Sequence, residues 1–121
     1  MKINILLAFL ALISIKILAQ NRNPKNKAVF LEDISWTTAR EILNEKSIVV
    51  MPLGAGSKEH GPHLPLSTDF LQAKALADLV ALQRNVVITP IVNYGFYPAF
   101  LKYPGSTSTT FATATDMVVQ V

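Results

Sequence analysis

Apolar positions change period several times along this chain, and each change marks an element. "SWTTAREILNEKS" places Ala39, Ile42 and Leu43 on one helical face and Arg40, Glu41 and Glu45 on the other, with Ser35 or Thr37 as N-cap. The spacing predicts a short helix from about Thr37 to Asn44. "SIVVMPLG" is apolar without alternation and stops at Pro52 and Gly54, the pattern of a strand covered on both faces. A longer helix follows in "STDFLQAKALADLVALQRN", capped by Thr68 or Asp69, with Phe70, Ala73, Leu76, Ala77 and Val80 at core spacing.

"NVVITPIVNYG" reads as a second buried strand, ended by Pro90 or by Tyr94 and Gly95. "FYPAFLKYPGSTSTT" is an aromatic, proline-punctuated loop, and "FATATDMVVQV" opens another helix. Helix, strand, loop, helix, strand is the order of a parallel α/β sheet, whose ligand sites lie beyond the carboxyl ends of the strands. The loop after the first predicted strand is therefore the place to look for chemistry.

The first residues carry a different pattern. Met1 and Lys2 precede "INILLAFLALISIKILAQ", a basic start, an apolar run and a small residue at Ala19. The run from Ile3 to Ile15 is short of the ~20 residues that span a bilayer, so residues 1–19 are expected to be an export signal, with a retained anchor as the alternative. Residues 20–34 form a lead-in segment that begins with the polar "QNRNPKNK", and residues 35–121 form the folded part. Localisation is expected to be periplasmic or extracellular, with no membrane association once the signal is removed.

Charge adds one exclusion. The formal net charge of +3 comes from Lys2, Lys16, Arg22, Lys25 and Lys27. From Ala28 onward, Arg40, Lys46, Lys58, Lys74, Arg84 and Lys102 face eight acidic residues, so no basic surface for nucleic acid is expected. Cysteine is absent, which removes disulfides, thiolate metal sites and cysteine nucleophiles. Any metal must be held by nitrogen and oxygen.

"GSKEHGPHLPLSTD", from Gly56 to Asp69, contains both histidines of the chain. A dinucleotide fingerprint wants glycine where Glu59 stands, and the Walker pattern is not met, so nucleotide binding is not expected. Two readings stay open from the residues alone. Pro62 and Pro65 stiffen a loop, the glycines turn it, Asp69 caps a helix, and the histidines make ordinary hydrogen bonds. Alternatively Glu59, His60, His63 and Asp69, all nitrogen or oxygen donors on a rigid scaffold, form part of a metal site.

"PLGAGSKEHGPHLPLSTD", Pro52 to Asp69, resembles the signature of the creatininase (creatinine amidohydrolase) family over almost its full length. Downstream, Tyr94, Gly95, Pro104 and Gly105 resemble that family's second segment, and the likeness runs from about Ser35 to Val121. The resemblance implies a three-layer α/β/α domain with a mainly parallel sheet and a centre of two divalent ions, zinc or manganese. It implies hydrolysis of a small cyclic or formyl-type amide, and a homo-oligomer in the full-length protein.

Position by position, the resemblance makes His60 a metal ligand and Asp69 the carboxylate that bridges the ions. The family's glutamate stands two residues before the histidine, where this chain has Lys58; Glu59 is the substitute ligand if the longer loop bulges. His63 is expected beside the site, supporting a ligand or facing substrate. Ala99 and Phe100 stand where polar residues are frequent, which makes that wall more apolar. No residue here is a confident acid for the leaving nitrogen, and no catalytic residue is assigned.

The family's remaining ligands fall in a later, glycine-rich segment, so the 121 residues are expected to be the first part of a longer domain and inactive alone. The alternatives are a non-catalytic exported α/β module, or another metal hydrolase, such as a deformylase, on the same scaffold.

Overall fold

The computed structural model describes residues 28–121. The expected export signal and the first residues of the lead-in lie outside that range. The chain builds β1 (Val29–Phe30), α1 (Trp36–Ile42), β2 (Val49–Val50), α2 (Thr68–Gln83), β3 (Val87–Ile88) and α3 (Phe111–Val119). Short 3-10 turns occupy Leu31–Asp33 and Pro98–Phe100. The lead-in expected to extend to residue 34 thus contains a strand: Val29 and Phe30 are apolar and pair in the sheet, which the polar residues before them masked.

The three strands are parallel in the order β1-β3-β2, with Val29 and Val49 both in register with Val87, and Phe30 and Val50 with Ile88. Parallel neighbours need crossovers, and α1 and α2 supply them. The central strand is the buried one, with Val87 7% and Ile88 1% exposed, as its unbroken apolar run requires. Ile88 packs with Ala77 and Val86, flanked by Phe30, Val50, Val80 and Ala81. Full burial of an isoleucine side chain is worth about 1.5–3 kcal/mol, so this small cluster anchors α2 to the sheet.

Two expectations about coverage are corrected. β2 is an edge strand among the described residues, and Val49 is 49% exposed rather than covered on both faces. On α2, Ala77 is buried but Leu76 is 63% exposed. The physical reason is that α2 is apolar around its circumference, with Leu71, Leu76, Leu79 and Leu82 outside, so spacing alone does not say which side meets the sheet.

The ends of the helices are set by capping. Ser35 caps α1, its hydroxyl accepting from the Thr38 N–H at 3.3 Å, and Thr110 caps α3 by accepting from Thr113 at 3.1 Å. α2 differs from its predicted capping by Thr68 or Asp69. Its N-cap is Ser67, which makes no side-chain cap bond, and the Thr68 hydroxyl donates back to Pro65 O at 2.6 Å. The Asp69 carboxylate is consequently left free to face the loop.

Candidate metal centre

The strand-to-helix connection brings Asp69 to the carboxyl end of the sheet. Beyond β2 the chain stays beside the segment after β3 through Gly54 N–H to Val92 O at 3.1 Å, Val92 N–H to Pro52 O at 3.0 Å and Gly56 N–H to Asn93 O at 2.8 Å. The first turn of α2 closes onto it, with Phe70 N–H donating to Ala55 O at 3.2 Å. Gly54 makes this approach feasible: a Cβ there would lie 2.5 Å from the Asp69 carbonyl oxygen and 2.8 Å from the Ala73 Cβ. A glycine thereby sets where the Asp69 carboxylate stands.

The second segment of the resemblance, residues 94–109, folds back over the loop. Ser57 is the clamp: its carbonyl accepts from the Thr107 N–H at 2.9 Å and the Thr107 hydroxyl at 3.1 Å, and its own hydroxyl donates to Gly105 O. Glu59 N–H donates to the Ser106 hydroxyl at 3.0 Å, and Lys58 N–H to Leu66 O at 2.9 Å. Backbone groups of each stretch are thus satisfied by backbone and hydroxyl groups of the other, which holds the loop in one shape without a large core.

Inside this clamp the side chains converge on Asp69. His60 Nε2 lies 3.3 Å from Asp69 Oδ1, and Lys58 Nζ lies 2.5 Å from Asp69 Oδ2. The two oxygens of one carboxylate therefore face two different nitrogen groups. The His60 and Lys58 side chains are only 15% and 16% exposed. His60 Nε2 is buried and unpartnered, because its short distance to Asp69 lacks hydrogen-bond alignment. A buried ring nitrogen left without a hydrogen bond beside a carboxylate suits a metal donor pair, since a cation there would satisfy both.

The other expected donors are placed differently. Glu59 turns its carboxylate onto its own loop, Oε1 accepting from the Gly61 N–H at 2.5 Å, where Gly61 takes a positive φ of 85°. His63 is exposed at the loop's outer turn. Among the described residues no group of three or more His, Asp or Glu side chains gathers at one point. The His60–Asp69 pair fits part of a metal centre, while Glu59 has one carboxylate oxygen engaged by Gly61. A separate cleft of about 330 Å³, lined by Phe30, Phe70, Ile88 and Pro90 among others, includes none of Glu59, His60, His63 or Asp69.

Lys58, which stands at the position of the family's glutamate, is the side chain held nearer to Asp69, at 2.5 Å against 3.3 Å for His60. Its ammonium also lies 4.9 Å from the Phe100 ring centroid and 5.4 Å from that of Tyr97. The signals were present separately, as a lysine two residues before His60 and as the apolar Phe100. Their meeting depends on the fold-back of residues 94–109.

With this geometry the likeness to known proteins can be placed. The model of the family described as Creatininase: Creatinine amidohydrolase matches residues 32–121. The chain belongs to the creatininase family. A mycofactocin precursor peptide peptidase from Mycolicibacterium smegmatis is 34% identical over 85 residues, covering 65% of this chain and 34% of the relative. One from Mycobacterium tuberculosis is 28% identical over 98 residues, covering 73% of this chain and 39% of the relative. The chain thus spans between a third and two fifths of the length of these curated relatives.

Solved creatininase structures agree on the fold. One variant matches with a TM-score of 0.67 and another, complexed with creatine, with 0.69; each is 26% identical, covering 78% of this chain and 38% of its own. The expected creatininase-like α/β fold with a parallel sheet is borne out.

Proposed function

We propose that this chain carries the first part of the metal centre of an amide hydrolase, with His60 and Asp69 as its core and Glu59 as a further donor. The observation that carries the reading is the buried, unpartnered His60 Nε2 beside the Asp69 carboxylate at a strand's carboxyl end. A divalent ion, zinc or manganese, supplies Lewis acidity, which polarises an amide carbonyl and makes water a nucleophile near neutral pH.

The chain's own residues prepare that chemistry. Asp69 brings a carboxylate, and His60 brings an imidazole whose unpartnered Nε2 faces it. Tyr97 and Phe100 place aromatic ring faces beside the Lys58 ammonium on one side of the Asp69 carboxylate. The relatives named as peptidases and creatininases both act on amide-type bonds, which supports a small amide or short peptide as substrate class. The first 19 residues support export, so the reading places the enzyme in the periplasm or outside the cell.

The test is metal analysis of the full-length protein and its Asp69→Ala variant, beside hydrolysis of creatinine, formyl amides and short peptides. We expect bound zinc or manganese, chelator-sensitive amide cleavage, and loss of both in Asp69→Ala. A full-length protein that takes up no metal after reconstitution overturns the reading and leaves the loop as architecture for a binding module.

A further inference from the structure

We infer that Lys58 is a built-in cation that fills the place of one metal ion, so that the centre takes a single divalent ion. The inference rests on the metal-hydrolase reading and fixes its stoichiometry. A carboxylate that bridges two ions offers one oxygen to each. Here Asp69 Oδ1 faces the unpartnered His60 nitrogen, and Oδ2 is taken by the Lys58 ammonium at 2.5 Å. One side of the carboxylate is open to a metal, and the other is already neutralised.

The surroundings of the ammonium favour an organic cation over a divalent ion. The Phe100 and Tyr97 rings lie 4.9 and 5.4 Å away, and ring faces attract an ammonium through their quadrupole. A ring face offers no lone pair of the kind that zinc or manganese requires. Lys58 is also fixed at its root, because its N–H is bonded to Leu66 O and its neighbours Ser57 and Glu59 are clamped to residues 105–107. The side chain is 16% exposed, so swinging it away means re-solvating the ammonium and uncovering two rings.

Charge leads to the same number. The local set is Lys58 against Asp69 and Glu59, formally one negative charge. Among the described residues a single divalent ion brings this set to one positive charge and a second to three, with the Lys58 ammonium already beside Asp69. Like charges packed at such distances in a half-buried site repel strongly, and Lys58 is the cation already in place.

The experiment is stoichiometry, which does not depend on turnover. Full-length protein stripped with chelator is titrated calorimetrically with Zn²⁺ and with Mn²⁺, and desalted samples are assayed by elemental mass spectrometry. Wild type is expected to hold about one equivalent, Lys58→Arg about one, and Lys58→Met about two, because removing the ammonium reopens Asp69 Oδ2. Lys58→Gln serves as the neutral variant should Lys58→Met fail to show a wild-type melting profile. About two equivalents in wild type, or about one in wild type and the neutral variant alike, overturns the role of Lys58 and leaves the metal-hydrolase reading standing. No metal in any of them overturns both.

Discussion

Asp69 and Glu59 are the two carboxylates of the site, ten residues apart, and they are held in opposite ways. Asp69 stands on the first turn of a 16-residue helix that Ala77 and Val80 pin to the sheet, and its oxygens face outward to Lys58 and His60. Glu59 stands on irregular backbone and spends an oxygen on Gly61 two residues on. A carboxylate mounted on a packed helix is presented to whatever binds, whereas one on a loop first satisfies the loop. The helix-mounted group should therefore dominate metal affinity and the loop-mounted one should tune it.

The strongest way to break that contrast is at Asp69 itself. Asp69→Asn keeps the shape and removes the charge that both Lys58 and His60 face. Metal affinity of the full-length protein should fall by more than the ~10–100-fold that losing a mere supporting partner costs. His60→Ala should follow, with its buried donor gone. Calorimetric titration checks both, and retention of wild-type affinity in Asp69→Asn would remove the helix from the centre.

Gly54→Ala attacks the same helix from below, without touching a donor. The new Cβ would stand 2.5 Å from the Asp69 carbonyl oxygen, closer than real contacts allow, so the segment after β2 and the first turns of α2 must separate. Overpacking of this kind costs about 1–3 kcal/mol, read as a lower melting temperature. Metal affinity should fall with it, because the carboxylate moves with its backbone. A variant with unchanged melting would show that the closure of the strand end on the helix is loose.

How far the sequence revealed this site follows from the range of each interaction. The succession from α1 to α3 was legible, because apolar runs and their Pro and Gly stops are local signals, whereas β1 was not, since Val29 and Phe30 follow a polar stretch. His60 and Asp69 were legible as donor types in a loop at a strand's end. The capping of α2 was not: Thr68 and Asp69 both suit a cap, and only the fold shows Thr68 bonded to Pro65 and Asp69 turned to Lys58. The buried side of α2 was ambiguous because apolar residues surround it. Lys58 between Asp69, Tyr97 and Phe100 joins residues more than 25 positions apart, which no spacing rule encodes.

Glu59→Gln sharpens the comparison at smaller amplitude. The amide oxygen can still accept from Gly61, so the loop should hold and melting should change by less than about 1 kcal/mol equivalent. Metal affinity should drop by on the order of tenfold, since a neutral amide is a poorer donor than a carboxylate for a divalent ion. An unchanged affinity would make Glu59 a fastener of the loop alone, while a drop as deep as that of Asp69→Asn would equalise the two carboxylates.

His63 marks the lower limit of the series. It shares the loop and the residue type of His60, yet it is exposed while His60 is half-buried with its nitrogen turned to Asp69. Surface substitutions away from special contacts stay within about 0.5 kcal/mol, so His63→Ala should melt like wild type. Its metal affinity should also match wild type, and any effect should appear as a raised KM for the amide substrate, the signature of a group that meets substrate rather than the ion. Loss of metal in His63→Ala would show instead that the outer turn closes inward on the centre, and that burial in this loop is set by the ion as much as by the chain.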